Sequence, residues 1–146
     1  MATITQTKPI VLKLSVHIKA PIAKVWDAVV NPAQIKQYMF GTNTVSDWKV
    51  GSPITFSGEW EGKAYVDKGT ILEIKKEKRL KYNYWSNFSG EADEPANYSN
   101  IIYELSEEPG GTLFTLTQDN FKNEGARDHS EKNWGMIFET MKEMLE

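Results

Sequence analysis

The sequence predicts an α+β fold: a curved antiparallel sheet wrapped around one long C-terminal helix, with two short helices after the first strand. Two observations predict it. Apolar and polar residues alternate through most of the chain as far as Thr117, which is the signature of half-buried strands. From about Glu124 the pattern changes, and Trp134, Ile137, Phe138, Met141 and Leu145 form a single helical stripe. A run of strands followed by one amphipathic helix places the helix on one face of the sheet. A twisted sheet curls, and only the last helix is long enough to cover its concave side.

Met1 to Lys8 is polar and reads as a loose tail, which leaves residues 10–146 for the folded domain and 1–9 for a flexible extension. Leu12, Leu14, Val16 and Ile18 alternate with Lys13, Ser15 and His17 in the first strand. Pro21 marks a helix start, because proline is tolerated in the first turn. Ile22, Val25, Trp26 and Val29 then share one face. Asn31-Pro32 opens a second short helix carrying Ile35, Tyr38 and Met39, with Asn31 as its cap.

Strands are expected at Ser46–Val50, Pro53–Trp60 and Lys63–Lys76. Glu61-Gly62 is a tight-turn signal that pairs the last two as a hairpin. Gly69 suggests a bulge or bend in the long strand. Leu80, Tyr82 and Tyr84 alternate in the next strand, after a charged turn from Lys75 to Arg79. Phe88 to Ala96 reads as a loop. Ile101, Tyr103 and Leu105 alternate again, Pro109-Gly110-Gly111 turns the chain, and Thr112–Thr117 is the last strand.

Composition excludes several function classes. The formal net charge of −3 argues against nucleic-acid binding, which needs a clustered basic surface. The absence of cysteine removes disulfides, zinc–thiolate sites and cysteine nucleophiles. No window is apolar enough for a membrane span, and no signal core is present at the N-terminus, so a cytoplasmic location is expected. There is no glycine-rich phosphate loop and no nucleophile elbow. His17 and His129 sit on separate elements and polar faces, so neither a metal site nor a catalytic histidine is expected. No cofactor is implied.

Toward its N-terminus the apolar stripe of the last helix meets Ser130 and Arg127, where packing against the sheet is expected to stay open. The sequence therefore predicts a cavity between sheet and helix. Its expected lining is Trp60, Tyr82, Tyr84, Tyr103, Trp134 and Phe138, with Gln118, Arg127 and Ser130 as polar contacts at the mouth. Three functions suit such a cavity. The first is binding of a small apolar or aromatic molecule. The second is a protein-interaction module with a chaperone or other protein as partner, marked by exposed Trp48, Phe121 and Met136. The third is an enzyme using Tyr84, Arg127 or Asp119.

The segments IKAPIAKVWDAVVNPAQIKQYM, DWKVGSPITFSGEWEG, KGTILEIKKEKRLKYNYW, YELSEEPGGTLFTLTQDNF and WGMIFETMKEMLE carry a resemblance that covers almost the whole chain. In this order they resemble the START-like, or SRPBCC, helix-grip superfamily, and within it the family of the activator of heat-shock protein 90 ATPase, C-terminal-type domain. The resemblance implies the helix-grip fold. It also implies a range of roles, from binding lipids and other apolar molecules to polyketide cyclisation and co-chaperone work. Two positions depart from the family pattern: Tyr38 stands where a tryptophan is usual, and Gln118 where a histidine is frequent.

Overall fold

The computed structural model describes residues 10–146, the side chain of Trp60 excepted; the tail expected over residues 1–9 lies outside the described residues. The elements run β1 (Leu12–Ile18), α1 (Ile22–Val30), α2 (Pro32–Tyr38), β2 (Asn43–Ser46), β3 (Pro53–Trp60), β4 (Lys63–Lys75), β5 (Arg79–Ser86), a 3₁₀ turn (Pro95–Asn97), β6 (Ser99–Glu108), β7 (Gly111–Gln118) and α3 (Glu124–Leu145). The described strands form one antiparallel sheet in the order β1-β7-β6-β5-β4-β3-β2. The curved sheet grips α3, as the alternation and the stripe predict.

Local chemistry sets the ends of these elements. Pro21 is the N-cap of α1, in an extended conformation at φ −61° and ψ 149°, one residue earlier than a first-turn proline. Asn31 caps α2 by accepting a hydrogen bond from the Ala33 amide at 3.1 Å. Asn123 does the same for α3, accepting from the Ala126 amide at 2.8 Å. Glu61 and Gly62 both take positive φ, 50° and 79°, as a two-residue hairpin turn requires. That turn fixes the β3–β4 register, so Trp60 faces Lys63 and Phe56 faces Asp67.

Two expectations are corrected. The strand expected at Ser46–Val50 lies instead at Asn43–Ser46, because Trp48 turns the chain with φ 56° and Val50 leads into the next turn at Gly51. The irregularity expected at Gly69 falls between Ile71 and Glu73, where the β4–β5 register shifts. Gly69 serves a different need: a Cβ there would stand 1.6 Å from the Asn83 carbonyl oxygen.

The end of the sheet at which β7 finishes, at Gln118, is its upper end. α3 starts there and runs down the concave face. Its last turn reaches the lower end, where the Lys24 ammonium donates to the Leu145 carbonyl at 3.0 Å and the Lys19 amide donates to Glu146 Oε2 at 2.9 Å. Trp134, Phe138, Met141 and Leu145 are buried along this path, as the stripe predicts. Each such side chain contributes about 1.5–3 kcal/mol by leaving water. Helices α1 and α2 close the lower part of the face with Val25, Trp26, Val29, Ile35 and Tyr38. No helix among the described residues is long and apolar enough to cross a membrane.

Candidate functional site

The concave face divides into a packed region and an open one. In the packed region β6 and β7 meet α3. Tyr103 stands edge-on to Trp134 at 5.9 Å between ring centroids, and Phe114 edge-on to Phe138 at 5.4 Å. The Trp134 indole N–H donates to Gln118 Oε1 at 2.9 Å. The Tyr82 and Tyr103 hydroxyls bond to each other at 2.9 Å. Burial raises both phenol pKa values above the ordinary range, so both stay neutral. The structure thus brings together five of the expected lining residues, Tyr82, Tyr103, Gln118, Trp134 and Phe138. They satisfy one another.

Below this cluster lies a void of about 10 Å³, between Val29, Ile35 and Tyr38 on the helices and Ile54, Phe56 and Tyr82 on the sheet. It has room for about one water molecule. The Tyr38 hydroxyl does not reach into it for a partner, because it donates to the Ala28 carbonyl at 2.9 Å.

The open region is the upper end of β3, β4 and β5. Ile54, Phe56, Ile71, Leu80 and Tyr82 face inward lower down and are buried. On the same inward rows higher up, Gly58, Tyr65, Asp67, Tyr84 and Ser86 keep partial contact with solvent. Phe56 supplies an aromatic floor, 6.0 Å from Tyr84 and 5.7 Å from Tyr82 between centroids. The Tyr65 and Thr42 hydroxyls bond at 2.6 Å, and Thr42 in turn donates to the Met39 carbonyl at 2.8 Å, so Tyr65 is the donor of the pair. This contact ties β4 to the connection between α2 and β2. Gly58 permits it: the Tyr65 ring lies where a Cβ on Gly58 would be, with the hydroxyl oxygen at 2.6 Å.

Asp67 is the charged group on this surface. The Tyr84 hydroxyl donates to its Oδ2, while Oδ1 is closed to solvent and has no hydrogen-bond partner. Burial raises the Asp67 pKa above the ordinary carboxylate value, and the Ser86 and Tyr84 hydroxyls oppose that rise only in part. Burial, and then the neighbouring Asp67 charge, raise the Tyr84 phenol well above its usual range. One cross-strand row holds Thr44, Phe56, Asp67 and Ser86. Thr44 Oγ1 is likewise buried without a partner, so both orphaned oxygens found among the described residues lie in this row, on either side of Phe56.

The remaining expected residues stand apart. Arg127 is half-buried and its guanidinium bonds to the adjacent Asp128 at 3.2 Å. Ser130 is half-buried on the same upper part of α3. Trp60 ends β3, and its side chain lies outside the described residues. Asp119 is held by the Asn100 amide at 2.7 Å and the Asn100 side chain at 3.0 Å, which makes it a strand-end clamp. His17 pairs with Glu108 on the outer face, and His129 is exposed. Of the surface apolar residues expected for protein binding, Met136 is 52% exposed, but Trp48 and Phe121 pack against the core. No group of three or more metal-ligating side chains converges among the described residues.

Asp67, Tyr65 and Thr42 are the site residues that the sequence expectation lacks. Asp67 was legible in principle. A two-residue turn at Glu61-Gly62 sets Asp67 opposite Phe56, and residues opposite each other in an antiparallel pair share a face.

Comparison with known proteins agrees with this architecture. The model of the Activator of Hsp90 ATPase homolog 1-like protein family matches residues 19–146. The solution structure of ChR145 from Cytophaga hutchinsonii is 45% identical, with a TM-score of 0.83 over 97% of this chain and 96% of that one. MLL2253 from Mesorhizobium loti is 23% identical, with a TM-score of 0.77 over 93% of this chain and 96% of that one. CalU16 from Micromonospora echinospora is 22% identical, with a TM-score of 0.70 over 92% of this chain and 73% of that one. The last two show the fold alone. No curated protein matches the chain. A helix-grip sheet with α3 in its concavity, matched by the family model over all but the first strand and the residues before it, settles the classification: this chain belongs to the Activator of Hsp90 ATPase homolog 1-like protein family.

Proposed function

We propose that the domain binds a small apolar or aromatic molecule between the upper end of β3–β5 and the N-terminal half of α3. One observation carries this reading: the inward rows of β3–β5 are packed lower down but keep solvent contact higher up, at Gly58, Tyr65, Asp67, Tyr84 and Ser86. An aromatic surface with polar tips, part wet and part dry, is the composition of a ligand site rather than of a sealed core. The polar part of α3, at Arg127 and Ser130, lies at the same end of the sheet. The family's association with apolar ligands supports the same reading.

The ligand sits against Tyr65 and Tyr84 and displaces water from the mouth. A panel of one-ring and two-ring aromatic compounds, followed by tryptophan fluorescence and melting temperature, tests this. A ligand present at about 100 times its Kd adds about 2.7 kcal/mol of stability and raises the melting temperature. A panel in which no compound moves either signal removes the reading.

A protein-interaction role is the second reading. It draws on Phe40, Val45 and Val50, which are 63%, 67% and 66% exposed around the edge strand β2. Stimulation of a purified chaperone ATPase by the wild type, lost on Val45→Lys, favours it over ligand binding.

A further inference from the structure

We propose, on the strength of the binding reading above, that Asp67 is the polar anchor of the ligand site: its Oδ1 accepts a hydrogen bond from an N–H or O–H at one end of an otherwise aromatic ligand. Several observations lead here. Asp67 faces inward because its strand partner Phe56 is buried on the concave face. Its Oδ2 is taken by Tyr84, whereas Oδ1 has neither solvent nor a partner. An acceptor left in that state is destabilising, and a donor from a ligand removes that cost. Of the nearby hydroxyls, that of Tyr84 is committed to Oδ2 and that of Tyr65 to Thr42, while that of Ser86, across the strand from Asp67, lowers its pKa without offsetting the burial. No lysine or arginine among the described residues forms an ion pair with Asp67.

The second orphaned oxygen, Thr44 Oγ1, lies in the same row beyond Phe56, and both Thr44 and Phe56 are buried there, so the ligand is held at Asp67 and not at Thr44. The negative carboxylate at one end disfavours a ligand that is itself an anion there.

The test is a chemical-shift titration of the wild type with 2-naphthol, 2-(aminomethyl)naphthalene, 2-methylnaphthalene and 2-naphthoate. The first two separate a neutral donor from a cationic one. At least one of them is expected to bind about tenfold more tightly than 2-methylnaphthalene, with 2-naphthoate weakest. In Asp67→Asn the advantage of the donor ligands shrinks to about twofold or less, while 2-methylnaphthalene binds as before. Equal binding of 2-methylnaphthalene and both donor ligands overturns the anchor but leaves the binding reading standing. So does a donor advantage that survives in Asp67→Asn, or tightest binding by 2-naphthoate. Failure of all four compounds to bind overturns both. Should Asp67→Asn lose its folded spectrum, Tyr84→Phe decides: it frees Oδ2 and is expected to keep the donor preference, and loss of that preference overturns the anchor.

Discussion

Two tyrosine hydroxyls of β5, on the same concave face, meet opposite fates. Tyr82 and Tyr103 bond to each other, are fully enclosed by rings, and carry no charge. Tyr84, two residues further along β5, bonds instead to a carboxylate that still lacks a partner on its other oxygen. The sequence writes both tyrosines of β5 in the same alternating pattern. The difference lies in what the neighbouring strands bring opposite them. Tyr82 meets Ile101 and Ile71, whereas Tyr84 bonds to Asp67 on the inward rows that keep partial contact with solvent. A closed polar pair adds stability and specifies one arrangement. An open one is where a ligand gains most by binding.

The comparison breaks most visibly in the packed region. Trp134→Ala is expected to cost about 3–5 kcal/mol, measured by urea denaturation, because it opens a cavity and leaves Gln118 without its donor. Tyr103→Phe is a milder probe. It removes one hydroxyl from an enclosed pair and is expected to cost about 1 kcal/mol by the same measurement.

The open region responds differently, through pH. The folded-state pKa of Asp67 is raised by burial, so the folded chain holds this proton more tightly than the unfolded chain does. The stability it contributes is therefore present below the ordinary carboxylate pKa and is lost as pH rises through the raised value. Asp67→Asn cannot titrate. The melting temperature of the wild type relative to Asp67→Asn is expected to fall across that window and stay level above it. A difference that rises with pH instead would show that the carboxylate is held by partners and is no orphan.

Much of this molecule was legible before its structure. The stripe Trp134, Phe138, Met141 and Leu145 is regular enough to fix α3 and its buried face. Glu61-Gly62 names its own turn. The short strand β2 was misplaced because only Thr44 of its four residues is buried, so alternation had nothing apolar to report, while Trp48 and Val50 imitated a strand beside it. The site was harder for a related reason. Polar residues on an inward face look like polar residues on an outward one until the register is known, and Asp67 lies on a strand whose inward rows mix polar and aromatic residues. Alternation turns Tyr82 and Tyr103 inward, where both are buried, but nothing in their spacing told a mutual hydrogen bond from an open one.

Glycine 69 has a consequence for what this chain can become. With the Asn83 carbonyl 1.6 Å from the place of a Cβ, and the Asn83 side chain accepting the Thr70 amide at 2.7 Å, the seam between β4 and β5 has no space for even a methyl group. In a library randomised at this codon, glycine should be the sole survivor. Gly58 faces the movable Tyr65 ring and should admit small replacements, so variation can retune the mouth of the grip while the seam behind it stays fixed.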